Sequence, residues 1–275
     1  MTGYSKATIL ATEVHTVMSK CVDQEYRISV ALPYSYLSQP EKTYPTIYLL
    51  DANWYFGIVT ETTRTMALCE SFPETIVVGI GYPVDEPLAD AFKQVRFLRA
   101  RDLTPITDSQ IEKQMEAKQE RKVTTGGANA FLRFIETELL PLIESEYRGS
   151  SIDRVLTGHS YGGLFTLYTL FHRTELFKGY VAASPSLHYG NGVTFTYEQT
   201  FAGQHTALPV KLYLGIGERE NDVDLPMVQN LYQLTAYIEG RKYEGLALTK
   251  HIIANCDHCA ATTPAFQAGL QAVLT

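Results

Sequence analysis

The 275-residue chain has no run of the roughly eighteen apolar residues that a helix needs to cross a bilayer. Met1 to Lys20 also lack a basic patch followed by an apolar core, so the expected location is cytoplasmic; a periplasmic one stays open, since a removed leader leaves no trace. Clustered positive charge is missing too. Lys and Arg number 23 against 30 Asp and Glu, a formal charge of −7, and no dense Lys/Arg stripe offers a polyanion a matching surface. Nucleic acid and membrane are therefore not expected partners. The four cysteines, Cys21, Cys69, Cys256 and Cys259, are too few and too scattered for a disulfide framework in a chain this large. Internal repeats, low-complexity tracts and linkers are absent.

What is present suits a globular chain with one large core. Hydrophobic residues make up 45% and charged residues 19%, far from the composition of disorder, and a single domain over 1–275 is expected. Thr8 to Met18 and Glu25 to Leu32 alternate as half-buried strands do and suggest an antiparallel entry to a sheet. Short continuous apolar runs follow at Tyr44 to Leu50, Thr75 to Ile80, Arg154 to Thr157, Gly179 to Ala183, Val210 to Leu214 and Leu246 to Ile253, the pattern of buried central strands. Helical periodicity is clearest over Asn129 to Tyr147, Leu164 to His172, Met227 to Glu239 and Ala265 to Leu274. Strands alternating with helices imply an α/β fold, a mostly parallel sheet of about eight strands covered by helices on both faces. Pro83 to Gly127 breaks this rhythm as a long connection with a charged, helical stretch from Ser109 to Lys122; it reads as a lid-like insertion or a surface decoration.

Gly158-His159-Ser160-Tyr161-Gly162 follows one predicted strand and opens a helix. In that context the pattern is a nucleophile elbow: a tight turn lifts the serine clear of the sheet, and small residues on either side let the chains pass. The elbow also sets the serine at a helix N-terminus, where free N–H groups favour a developing negative charge. A serine hydroxyl needs a base. Among seven histidines, His258 lies in a loop after the last strand and before the last helix, where the order Ser, acid, His puts it; His251 sits within the strand, His172 late in a helix, and His159 is better suited to packing. The acid should follow the strand Val210 to Leu214, and Glu220 is placed to turn back towards the histidine, with Asp222 the runner-up and an exposed acidic loop the plain alternative.

Two backbone donors must meet the oxyanion, and the N–H groups of Tyr161 and of Asn53, in the loop after Tyr44 to Leu50, fill those places. Trp54 then either lines a substrate pocket or packs in the core. Cys256-Asp257-His258-Cys259 offers thiolates and an imidazole, yet no second ligand pair exists for a structural zinc, so no metal is expected. Gly79-Ile80-Gly81 lacks the third glycine of a dinucleotide loop, and no cofactor is expected.

Several segments resemble, in order, those of the putative-esterase family of α/β-hydrolases, whose members include enterobactin, salmochelin and bacillibactin esterases, feruloyl esterases and S-formylglutathione hydrolase. They are Tyr48-Leu49-Leu50-Asp51, Arg101-Asp102-Leu103-Thr104-Pro105, the elbow through Gly163, and Ser184-Pro185-Ser186-Leu187. The resemblance covers Tyr44 to His258 and is nearest to the siderophore-esterase branch. It implies the α/β-hydrolase fold, a serine esterase with Ser160 as nucleophile, His258 as base and oxyanion donors at Asn53 and Tyr161, and a small-molecule ester as partner. Ala52 stands where the family usually has glycine, and His188-Tyr189 stand where aromatic pairs are frequent. Some siderophore esterases resemble Ser-His dyads, which bears on Glu220. Arg101 would contact substrate, or pair with Asp102 to pin the long connection. A thioesterase or acyltransferase on the same machinery, or an inactive binding protein, are the rival readings.

Overall fold

A computed structural model describes residues 7–70, 72–84, 88–119, 122–221 and 226–275. Its centre is an eight-stranded sheet in the order β1-β2-β4-β3-β5-β6-β7-β8. The alternating segments form β1 (Thr12–Ser19) and β2 (Gln24–Ala31), an antiparallel pair. The apolar runs form β3 (Tyr44–Leu49), β4 (Ile76–Gly81), β5 (Gly149–His159), β6 (Gly179–Ala183), β7 (Lys211–Gly217) and β8 (Ala247–Ile253). β2 joins β4 antiparallel, and every pairing from β4 onward is parallel. The eight strands and their mostly parallel arrangement are those expected.

Period-two alternation along each strand divides the core into two. Ile47 and Leu49 of β3 join Val181, Phe266 and Leu270 on one face, whereas Tyr48 and Leu50 join Phe165, Leu214 and Leu231 on the other. The first face is covered by α1 (Ala52–Ala67) and α9 (Thr262–Leu274). The second is covered by α4 (Ala128–Phe134), α5 (Leu140–Glu146), α6 (Tyr161–His172) and α8 (Met227–Arg241).

Three helices were not foreseen: α1, α2 (Leu88–Asp102) and α7 (Tyr189–Ala202). α1 carries Thr60, Thr62, Thr63 and Thr65, β-branched residues that favour strands, yet Thr60 and Thr63 are buried and Thr63 Oγ1 donates to the Val59 carbonyl at 2.9 Å, so packing overrides propensity. Asn53 and Trp54 consequently sit in the first turn of a helix, not in a loop. α7 opens through Gly190, Asn191 and Gly192, all in the left-handed region, which hides its periodicity. Within the 83–127 connection lie α2 and α3 (Ser109–Gln119). The expected helix Asn129 to Tyr147 is interrupted by a π turn, Ile135–Leu139, just before Pro141, which has no N–H to continue the α ladder.

Candidate active site

Chain crossovers bring the carboxyl ends of β3, β5, β6, β7 and β8 to one edge of the sheet, and each contributes a loop there. β5 ends at His159, α6 begins at Tyr161, and Ser160 between them has φ 60° and ψ −117°. A non-glycine residue holds that conformation only when its surroundings enforce it. The flanking glycines let them do so. A Cβ on Gly158 would lie 2.5 Å from the Gly162 carbonyl carbon, and one on Gly163 would lie 2.8 Å from the Ala183 carbonyl oxygen. The Ser160 N–H donates to Ala183 O at 2.9 Å, its carbonyl accepts from Ser186 N–H at 3.2 Å, and its Oγ lies 3.4 Å from Ser186 Oγ.

Beyond β7 the chain turns at Gly217 and folds Glu220 back beneath the sheet edge, where its side chain is wholly buried. A buried carboxylate must be compensated by hydrogen bonds. Oε1 accepts from the Gly217 N–H at 2.7 Å and from the Ser184 hydroxyl at 2.5 Å, and Oε2 accepts from His258 Nδ1–H at 2.7 Å. The carboxylate fixes the tautomer: with Nδ1 donating, Nε2 of His258 carries the lone pair.

His258 is held on a short turn after β8. Arg219 N–H donates to Cys256 O at 2.9 Å, Gly217 packs so closely that an added Cβ would lie 2.4 Å from that same oxygen, and Asp257 Oδ1 accepts from the Cys259 and Ala260 N–H groups at 3.1 and 2.9 Å. Behind it His159 Nε2 lies 2.9 Å from the His258 carbonyl, with the two rings 4.5 Å apart. His159 Nδ1 is 3.3 Å from the Tyr55 hydroxyl. Burial, and then the neighbouring His258, pull the His159 imidazole from 6.5 down to about 3, so it is neutral at pH 7.

On the other side of the elbow, Asp51 directly precedes α1 with φ 55° and is buried. Its carboxylate takes a two-pronged ion pair from Arg99 of α2, at 2.7 and 2.8 Å, and lies under Gly162, where an added Cβ would stand 3.1 Å from Oδ2. The Arg99 guanidinium lies 5.2 Å from both the Trp54 and Tyr161 ring centroids. Asn53 is the second residue of α1 and Tyr161 the first of α6, positions whose backbone N–H groups have no partner within the helix. The Asn53 side chain is tied to Tyr82, Nδ2 donating to its carbonyl at 2.9 Å and Oδ1 accepting its N–H at 2.8 Å.

A family model described as "Putative esterase" matches residues 19–236. The chain belongs to the putative-esterase family. This esterase is 32% identical over 267 residues to the ferri-bacillibactin esterase BesA of Bacillus subtilis (strain 168), an alignment covering 94% of the chain and 85% of the relative. It is 34% identical over 208 residues to a siderophore enterobactin esterase of Emericella nidulans, covering 72% and 66%. Its fold matches the crystal structure of a BES protein from Bacillus cereus with a TM-score of 0.85, at 25% identity and with all of both chains covered. It is thus an α/β-hydrolase-fold ester hydrolase.

In this esterase Arg101 is placed apart from Arg99 and its aromatic partners. Its guanidinium pairs with Asp102 at 2.6 and 3.0 Å and reaches Gln24 of β2 at 3.4 Å, while Asp102 accepts from Tyr26 and Tyr82 at 2.7 and 3.1 Å. That network ties α2 to the sheet. Asp222 lies outside the described residues. Arg99, Asp51, Ser184 and Ser186 were missed as site residues, although the Ser184-Pro185-Ser186 segment was visible; Arg99 stands two residues before Arg101 on α2, a spacing that turns the two side chains to different faces. Among the described residues no cluster of three His, Cys, Asp or Glu could hold a metal, and the cysteines are unpaired thiols. No helix among them is long and apolar enough to cross a membrane.

Proposed function

We propose that this esterase cleaves small-molecule carboxylic esters of the siderophore type through an acyl-enzyme on Ser160. What supports the reading is the 2.7 Å hydrogen bond from His258 Nδ1 to buried Glu220, with the His258 carbonyl 2.9 Å from Nε2 of His159, the residue before Ser160. In this mechanism His258 Nε2 takes the Ser160 proton as Oγ bonds to the ester carbonyl carbon. Glu220 stabilises the resulting imidazolium without being protonated itself. The N–H groups of Asn53 and Tyr161 hold the oxyanion. Collapse of the tetrahedral intermediate breaks the ester C–O bond, and the departing alcohol takes the proton from His258. Water, deprotonated by the same imidazole, then releases the acid and regenerates the serine.

The siderophore class rests on the relatives, two of which are named for bacillibactin and enterobactin. Trp54, beside Arg99, is read as part of the substrate wall. The chain is read as one hydrolase domain in which the described part of segment 83–127 closes one side of the site, as its Arg99 and Ile106 suggest; the Ile106 carbonyl accepts from Tyr189 at 2.8 Å. Incubating purified protein with siderophore trilactones, feruloyl esters, short acyl esters and matched thioesters, with and without an alcohol acceptor, tests the assignment. The reading expects fastest turnover of the trilactones, with water as acceptor. Faster thioester cleavage, or transfer to the alcohol, would replace it with the thioesterase or acyltransferase reading.

A further inference from the structure

His159 is a buried imidazole beside the site to which the proposed mechanism gives no part. It is the last residue of β5, directly before the nucleophile, and is only 3% exposed. Both of its ring nitrogens are engaged. Nε2 lies 2.9 Å from the His258 carbonyl oxygen, and Nδ1 lies 3.3 Å from the Tyr55 hydroxyl. A carbonyl only accepts, and a neutral imidazole carries a single proton. That proton therefore sits on Nε2, and Nδ1 accepts from the Tyr55 hydroxyl.

Through these two bonds one side chain joins three stretches of chain that are far apart in sequence. Tyr55 stands two residues after Asn53 in the first turn of α1. His159 is bonded covalently to Ser160, and its Nε2–H meets the main chain of His258. Other bonds of that turn hold the neighbours of His258: Arg219 N–H donates to Cys256 O, Cys259 and Ala260 N–H donate to Asp257 Oδ1, and Ala261 N–H donates to Asp257 O. The His258 side chain is 34% exposed, so packing alone does not hold it, and Glu220 grips it only at Nδ1. A ring tethered at one nitrogen can still swing the other unless its main chain is fixed as well.

We propose that His159 is a positioning residue: its bond to the His258 carbonyl sets the base at working distance from Ser160, and Tyr55 keeps it in the tautomer that can make that bond. The proposal rests on the esterase reading of Ser160 and His258 and adds to the Glu220 contact a second anchor, on the main chain. A carbonyl that loses its buried donor is driven to move towards another partner. A shift of about 1 Å in a catalytic group costs about 10²-fold in rate.

Two variants separate the hydrogen bond from the packing of the ring. His159→Phe keeps a flat ring without a donor, and His159→Gln places an amide N–H close to where Nε2–H lies. On a 4-nitrophenyl ester, kcat of His159→Phe should fall about tenfold to 10²-fold with KM within about twofold, and His159→Gln should recover most of that loss. Each kcat is taken per site titrated by a fluorophosphonate run to completion, so misfolded protein does not enter the comparison. Nitrogen NMR of the wild-type histidine rings at pH 7 scores the tautomer without any variant, and a His159 proton on Nε2 is expected. Wild-type kcat per site in His159→Phe, a His159→Gln enzyme as slow as His159→Phe, or a proton on Nδ1 overturns the positioning role and leaves the esterase reading intact. A wild-type protein that neither turns over the ester nor takes the label overturns both.

Discussion

Glu220 and His258 are joined at 2.7 Å, and the second oxygen of Glu220 is engaged by Ser184 and the Gly217 N–H. The carboxylate is therefore fixed before any substrate arrives, and it fixes the imidazole in turn. Replacing Glu220 with Gln keeps the shape but removes the charge that, in the proposed mechanism, stabilises the imidazolium. The expected loss is about 10³- to 10⁴-fold in kcat with little change in KM. Steady-state kinetics on a nitrophenyl ester checks it, and a loss under tenfold would leave Glu220 as scaffolding for a Ser-His pair.

Ser184 donates its hydroxyl to Glu220. Ser184→Ala removes one donor to a buried carboxylate, and kcat is expected to fall about tenfold while KM holds. Ser184→Thr, which keeps the hydroxyl, should recover most of that loss, whereas failure of the rescue would indicate a packing effect.

Arg99 and Asp51 form a buried pair under the elbow. Arg99→Leu leaves the Asp51 carboxylate buried and alone, which should cost about 3–5 kcal/mol of stability. Asp51→Asn with Arg99→Leu should recover part of it, since no unpaired charge then remains. Denaturant unfolding of the single and double variants measures the difference, and additive losses would contradict the pairing account.

The backbone of the elbow makes a separate demand. Gly158→Ala places a methyl 2.5 Å from the Gly162 carbonyl carbon, so the turn cannot close unchanged. The variant is expected to lose folded yield or ester hydrolysis altogether; normal kinetics would mean that the elbow has room for the extra methyl.

Acid should destabilise the protein through His159. Its folded value of about 3 lies below its ordinary 6.5, so between those limits the unfolded chain binds a proton that the folded one refuses. Its contribution is whole above pH 6.5 and is lost as pH falls towards 3, at about 1.4 kcal/mol per pH unit inside the window. His159→Gln, which keeps a donor towards the His258 carbonyl, should show a shallower fall of Tm between pH 7 and pH 4.5 than the wild type. Equal slopes would count against a neutral buried imidazole.

Much of this architecture was legible because the determinants were local. Apolar runs such as Ile47 to Leu50 and Val181 to Ala183 fill both faces of a parallel sheet, and such runs are readable one strand at a time. The elbow was readable because its steric requirement is written in adjacent residues. The helices α1 and α7 were not, since threonine-rich and glycine-broken stretches form helices only when the sheet offers a face to pack on. Arg99 was missed for the same kind of reason: its partner Asp51 lies 48 positions away, and nothing in the sequence ranks it above Arg101. The oxyanion assignment placed Asn53 in a loop, where the structure begins a helix.

The most direct test of the account is covalent. Wild-type protein treated with a fluorophosphonate should gain one adduct per chain, mapped by peptide mass spectrometry to Ser160, with parallel loss of ester hydrolysis, and Ser160→Ala should show neither adduct nor turnover. An adduct on another residue, or ester hydrolysis surviving in Ser160→Ala, would contradict it.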